Sequence, residues 1–475
     1  MEYSAARAVT ERKTEALVKR HLIYRTLSVS ACSICCFLPA SAQENGAGLV
    51  FGFNQSLETD DNLDLDPVSA GRTTFASTGL SLGFTHETPL DRIGVSASGV
   101  LRAVNGPGAE SGWDNQRFQL DYGREGVQSA FGFNASYLQS NIEFLRPLQD
   151  FENPDGEIEL PPDLDDLNGT GNRERYRSGL EFELGRDAPI GADFRANYLS
   201  LKYTDTTDPG LNDSDRINLD ANLYLRFLPF AEGIIGADYR FFDQNDAEQT
   251  QRETKTGYAG VNVELSPIWR LEARFGYTTI DTREFGITTR TDGPTGLLRL
   301  ERDMPNGTID AELSQIVTDD GDIRNYLVGR SLELPTGGLA FTAGFADSEL
   351  DSPDFIGSLN WVQELPRGEF SARFQRSLDF DEDKGNILRT ALFLGYFHEI
   401  NNISGINLNA GYTISDELTR TIDRANVTAS YQYSLTEDWA LSTGYRYRMR
   451  EELTDPRAQS HSIFFNIGRD FIMRP

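Results

Sequence analysis

In the stretch 426–435, NVTASYQYSL, Val427, Ala429, Tyr431, Tyr433 and Leu435 alternate with Asn426, Thr428, Ser430, Gln432 and Ser434. Successive side chains of a strand point to opposite faces, so this pattern predicts a β-strand with one apolar and one polar face. The same alternation runs through 406–414, where Ile406, Leu408, Ala410, Tyr412 and Ile414 interleave with Asn407, Asn409, Gly411 and Thr413, and through 217–227. In the last residues, SHSIFFNIGRDFIMRP, one face holds Ile463, Phe465, Ile467, Phe471 and Met473. The other holds Phe464, Asn466, Gly468 and Asp470. From Gln43 onward the chain repeats this unit, roughly 10 to 14 residues of alternating polarity and then a turn, and no helical period competes. The units predict about 22 strands, with 20 to 24 as bounds. Around 191–205 and 384–400 the alternation changes phase, which predicts bulges there.

The connections add a second pattern. Short ones, such as PLDR (89–92), GREG (123–126), RDAPIG (186–191), LPTGG (334–338), LPRGE (365–369) and LTEDW (435–439), alternate with longer, acidic ones. The latter include DDNLDLDPVSAGR (60–72), TDPGLNDSD (207–215), DFDEDKGN (379–386) and REELTDPRAQ (450–459). Membrane barrels combine an even strand number with short periplasmic turns and longer external loops. The expected fold is therefore all-β: a transmembrane antiparallel up-and-down β-barrel whose termini are both periplasmic. Trp269, Trp439, Tyr239, Phe241, Tyr445 and Tyr447 fall on apolar faces, mostly near strand ends, as interfacial girdles require. A propeller or solenoid would repeat a sequence motif, whereas only a polarity pattern repeats here.

Composition agrees with a barrel. The 475 residues carry a formal charge of −29, which disfavours nucleic acid as a partner. No run of 18 apolar residues follows residue 43, and barrel strands need only one apolar face. Arg12, Lys13, Lys19, Arg20 and Arg25 precede an apolar stretch from Leu27 to Leu38 and the small-residue site Ala40-Ser41-Ala42. Residues 1–42 thus read as a removed signal peptide and 43–475 as the barrel, placing the protein in the outer membrane of a Gram-negative bacterium. VSAC (Val29–Cys32) offers a second, lipoprotein-like reading of that segment. Cys32, Cys35 and Cys36 all lie within it, so the mature chain has no thiol.

The last strand resembles the closing strand of outer-membrane proteins, through Asn466, Gly468, Phe471 and Met473. That resemblance implies recognition by the barrel-assembly machinery. Arg469 on the apolar face and the extra Arg474-Pro475 depart from the pattern. With SLETDDNLDLDP (Ser56–Pro67), the uniform hairpin series and the GRDFIMRP end, the chain also resembles the β-barrel porin group associated with surface polysaccharide systems.

Inward-facing positions hold both signs of charge. Arg446, Arg448 and Arg450 form a ladder, joined by Arg270, Arg274 and Arg373 on other strands, with Glu272, Asp238, Glu181, Glu183 and Asp220 between them. Charged rings set ion preference in a pore; ion pairs that only fill and stiffen the wall use the same residues. The longest connection, 139–172, holds Asp150, Glu152, Asp155, Glu157, Glu159, Asp163, Asp165 and Asp166 and no basic residue between Arg146 and Arg173. It reads either as an inward constriction facing the wall arginines or as a disordered external loop.

The expected function is an outer-membrane channel for diffusion of polar or charged small solutes, in contact with outer-membrane lipid and lipopolysaccharide. The alternatives are an accessory or conduit barrel for exopolysaccharide or capsule export, for which Tyr224, Tyr258, Asn222, Asn262, Asn407 and Asn409 would line the lumen, and a filled barrel displaying loops. A 22-strand barrel of the TonB-dependent class carries a plug, and only a handful of residues precede the first strand after residue 43. His86, His398 and His461 fall on strands that bring no pair together, so no enzyme is expected. DDNLDLD (Asp60–Asp66) offers hard oxygen ligands without the glycine of a calcium loop, so neither a metal nor a cofactor is expected.

Overall fold

The computed structural model describes residues 47–144, 158, 160, 163–167 and 171–473, apart from 207, 209, 349–352, 382–383, 418–419 and 453–454. The proposed signal peptide lies outside these residues. In chain order the strands are β1 (Ala47–Asp60), β2 (Thr73–Glu87), β3 (Asp91–Asn105), β4 (Gly112–Glu125), β5 (Ser129–Asn141), β6 (Asn172–Leu184) and β7 (Ile190–Thr204). Next come β8 (Ser214–Leu228), β9 (Ala231–Gln244), β10 (Gln251–Ser266), β11 (Trp269–Glu284), β12 (Ile287–Met304), β13 (Gly307–Thr318), β14 (Gly321–Leu334) and β15 (Gly337–Ser348). The last seven are β16 (Asp354–Leu365), β17 (Gly368–Asp381), β18 (Gly385–Asn401), β19 (Ser404–Asp416), β20 (Thr421–Ser434), β21 (Trp439–Glu452) and β22 (Asp455–Met473).

Each strand pairs antiparallel with its neighbour in sequence, and β22 returns to β1 with Leu49 opposite Met473 and Asp60 opposite Ser462. The result is a closed 22-stranded up-and-down barrel. Closure leaves no edge strand, so every ladder finds partners without water. The period-two pattern sorts the faces as the sequence requires. Leu57, Leu82, Phe275, Val328, Phe345, Ile463 and Phe465 stand exposed on the outside. On the last strand the intervening Ser460 and Ser462 are 1% exposed and point inward. A surface this apolar all round the wall is suited to lipid. Arg469 is outward near the short-turn end, where its guanidinium lies over the rings of Trp439 and Phe471 and pairs with Asp438 at 2.8 Å. An arginine whose guanidinium stacks on aromatic rings and pairs with a carboxylate suits an interfacial rim.

Connections after odd strands gather at one end, and those after even strands at the other, with both described termini. Two expectations need correction. The acidic stretches 379–386 and 450–459 are mostly strand, because β17 runs to Asp381, β18 starts at Gly385, β21 runs to Glu452 and β22 starts at Asp455. Connections at that end are as brief as 285–286 and 319–320. The acidity there marks strands extended past the apolar band, as where Glu452 pairs with Arg450 two residues earlier on the same strand. The bulge expected in 191–205 is absent from the β7 ladders, and in β18 the register shifts only at Glu399/Asn401.

Candidate functional site

The predicted lumen residues all project inward, and most of them form ion pairs. Arg446 pairs with Glu58 at 3.0 Å, Arg448 with Asp60 at 2.8 Å and Arg450 with Glu452 at 3.1 Å. On β11, Arg274 pairs with Glu272 at 2.8 Å, and Arg270 with Asp303 at 2.7 Å and with Glu301. Arg373 lies opposite Asn360 on β16, and Asp238 opposite Asp220 on β8. Three of the six side chains considered for sugars are tied together through Asp193. Tyr258 donates to Asn222 Oδ1 at 2.5 Å, Asn222 donates to Asp193 at 3.2 Å, and Tyr224 also donates to Asp193.

Asp60, first of the oxygen-rich DDNLDLD run, turns inward to accept from Arg448, Ser460 and the Asn62 amide. Among the described residues no three acidic or histidine side chains converge on a metal position. His86, His398 and His461 share the outward parity of Phe84, Leu394 and Ile463 on their strands. His461 accepts or donates at 2.6 Å to Tyr445 on the neighbouring strand.

The described part of the connection between β5 and β6 lies inside the mouth. Asp150, Glu152, Asp155, Glu157 and Glu159 fall outside the described residues; Asp163, Asp165 and Asp166 are within them. Asp163 meets Arg173 of β6 through two oxygens at 2.5 Å and accepts from Tyr203 of β7. Asp165 accepts from Ser415 of β19 at 3.0 Å, lies 3.7 Å from Arg389 of β18, and gives its main-chain carbonyl to Arg424 of β20 at 3.1 Å. Asp166 pairs with Lys384 at 2.7 Å and Arg420 at 2.5 Å, in the connections beside β18 and β20. Apolar contacts alternate with these ion pairs. Ile158 and Leu164 pack on Ala391 and Phe393, while Leu167 packs on Ile142 and Leu211. Gly171 returns the chain to β6 at φ 136° and accepts from the Ile142 amide at 2.9 Å, a conformation that favours glycine.

β6–β7 and β18–β20 lie nearly opposite one another in the ring. A round ring of this size would hold them about 40 Å apart. Asp163 and Asp165, two residues apart, nevertheless reach both walls through single side chains, a span of only about 20 Å. The barrel is therefore drawn in across this axis at its long-connection end. A second element enters the same mouth at the β13–β14 hairpin. Asp319 accepts from Arg252 of β10 at 2.5 Å, and Asp320 accepts from the Asn386 amide of β18 at 3.1 Å.

Burial grades along the bore. At the mouth, inward Arg173, Thr413, Ser415 and Arg424 are buried at 2–7% exposure, whereas toward the short-turn end the Arg270 side chain keeps 51%. Outside the strands, burial disfavours the Lys384 ammonium, but Asp166, helped by Glu417 and Asp165, outweighs it and holds the amine above its ordinary range. Arg420 is treated alike: burial works against its charge, and its bonds to Glu417 and Asp166 more than offset that.

Arg173, Tyr203, Lys384, Arg389, Ser415, Arg420 and Arg424 were not singled out in the sequence. One signal was present. In 384–400 the alternation fails because both faces of β18 are apolar: Ile387, Ala391 and Phe393 of the inner face are buried, the last two against Ile158 and Leu164. Besides the register shift at Glu399/Asn401, the change of phase reports a strand with a second packing partner inside the barrel.

No protein-family model matches the chain, and no curated protein matches it in sequence. Solved structures do resemble it. The FrpB iron transporter of Neisseria meningitidis (F5-1 variant) superposes with a TM-score of 0.59 at 8% identity, over 90% of this chain and 83% of that one. The ferric-catecholate import receptor Fiu of E. coli K12 gives 0.55 at 8% identity, over 90% and 82%. The siderophore receptor PiuA of Acinetobacter baumannii gives 0.54 at 10% identity, over 88% and 82%. At such identities the likeness is one of fold: these are outer-membrane barrels, and so is this architecture.

Proposed function

We propose that the protein is an outer-membrane channel through which small polar or charged solutes diffuse, with its mouth narrowed by the connection that carries Asp163–Leu167. The observation that carries this reading is the bore itself. Its inward side chains are polar and charged over much of its length, more exposed toward the short-turn end than at the mouth, where Asp163, Asp165 and Asp166 bridge the walls. Side chains of both signs along such a bore favour hydrated solutes over apolar ones. In this reading the long-connection end faces outward, among lipopolysaccharide, and both termini are periplasmic after delivery by the barrel-assembly machinery in a Gram-negative cell.

The iron and siderophore receptors lend support only for passage of small molecules through a barrel of this architecture. The polysaccharide-conduit reading rests on the sequence resemblance alone, and the mutual bonds of Tyr224, Tyr258, Asn222 and Asp193 leave those groups less free for a sugar chain. The test is conductance of the protein, refolded from residue 43, across a planar bilayer. Steady conductance supports a channel, and its absence from a demonstrably folded barrel rejects one.

A further inference from the structure

The carboxylates of Asp165 and Asp166 occupy a pocket walled by four cationic side chains, with Glu417 and Ser415 beside them. Arg389 and Arg424 project from the inner faces of β18 and β20, and Lys384 and Arg420 close the pocket from the adjoining connections. Arg424 is 6% exposed, and its register partner on β21 is another arginine, Arg450. Like charges placed directly opposite each other on a sheet repel, so such a pair is tolerable only with an anion close by. Glu452 serves Arg450, and Glu417 serves Lys384 and Arg420. For Arg389 and Arg424 the anionic neighbour of the segment is Asp165, and it does not saturate them. The Arg424 contact is to the main-chain carbonyl, the Arg389 contact is 3.7 Å, and Arg424 Nε and Arg389 Nη2 are buried without a hydrogen-bond partner. Buried donors left unmade are costly, which is how a site built for more acceptor oxygens looks when filled by fewer.

Beside it is a cavity of about 190 Å³, lined by Ile158 and Leu160 of the segment and by Ser377, Asp379, Arg389 and Ala391 of the wall. The segment and Arg389 both line this cavity, which leaves room beside the site for a larger anion.

We infer that this cationic pocket is a binding site for small oligo-anions, molecules with two or more adjacent carboxylate or phosphate groups, and that Asp165 and Asp166 are its resident stand-ins. A solute of this class competes with them, and its arrival unseats 163–167 from the β18–β20 wall. The inference rests on the channel reading only in naming the solute class that the channel admits. The pocket itself is tested by binding.

The experiment uses the folded barrel in detergent, with citrate and inorganic pyrophosphate as probes and acetate as the single-charge control, read by titration calorimetry. Both probes should bind the parent protein and acetate should not. Asp165→Asn with Asp166→Asn, which removes the competitor, should tighten the better probe by roughly tenfold, since apparent affinity scales with the open fraction. Binding by citrate alone or pyrophosphate alone assigns the pocket to carboxylates or phosphates. Arg389→Gln should abolish binding. A second readout covers a variant that fails to fold. Ile158→Cys gives the chain from residue 43 its one thiol, and either probe should speed its labelling while acetate leaves it unchanged. Unchanged labelling, or equal affinities for parent and double-asparagine proteins, overturns the inference. Conductance without binding rejects the pocket and leaves the channel; binding without conductance does the reverse.

Discussion

Ser415 Oγ donates to Asp165 Oδ1 at 3.0 Å across 250 positions of sequence, joining the connection that leaves β5 to the far wall of the barrel. Both groups are 2% exposed. The contact means that the longest connection does not simply hang outside the mouth: its acidic end is folded in and held by the wall.

The amides of Asp166 and Leu167 both donate to the Asp163 carbonyl at 3.1 Å, forming a turn that depends on the seated segment. Asp165→Asn weakens the anchor beside Arg389 and Arg424. A charge-assisted bond contributes about 1.5–3 kcal/mol, so protection of these two amides in hydrogen exchange should fall at least about tenfold, with the β-strand amides little changed. Equal protection would show that the carboxylate does not hold the segment.

Lys384 supplies a pH dependence. Its pKa is raised in the folded protein from an ordinary 10.5: burial opposes the charge, and Asp166 beside it prevails. A raised pKa means the native state binds the proton more tightly. Its contribution is therefore fully present below 10.5 and is lost as pH climbs through the raised value. Labelling of Ile158→Cys, corrected for thiolate fraction, should stay flat from pH 7 up to 10.5 and rise above that. Lys384→Gln should remove the alkaline step.

Asp64, in the connection after β1, has the opposite sign. Burial, then Asp66 and Asp60, push its carboxyl up from 3.8 while Arg448 pulls it down, and Oδ1 is buried without a partner. The native state here favours the protonated form, so the ionised group destabilises at neutral pH and the penalty fades as pH falls toward 3.8. Asp64→Asn should raise the urea midpoint at pH 7 and lose that advantage near pH 3.

The two faces of the closing strand make a paired comparison. Phe465 is 45% exposed on the outer face, and Asn466 points into the bore beside Ser56. Phe465→Arg should lower stability in lipid by about 2–4 kcal/mol, whereas Asn466→Arg should change it far less. Equal effects would mean that the outer face does not meet lipid.

Much of this fold could be read in the sequence because a barrel wall obeys one local rule. Val427 and Thr428, or Ile463 and Ser462, declare their faces through their neighbours alone, and the short turns mark where each strand reverses. The contents of the mouth obey no such rule. Arg389 sits between apolar residues on both parities, and nothing local says that Asp165 will meet it from across the bore. The acidity of 150–166 and the wall arginines suggested an encounter, yet the partners singled out, Arg446, Arg448 and Arg450, pair with Glu58, Asp60 and Glu452 instead. The clue that did exist was the doubly apolar β18, which reports a contact without naming it.

The most direct measurement is single-channel conductance in a planar bilayer, comparing the parent barrel with one lacking 150–166. The account predicts a steady conductance that rises clearly when the segment is deleted, because the element bridging the mouth is gone. An unchanged conductance in a folded deletion variant would contradict it.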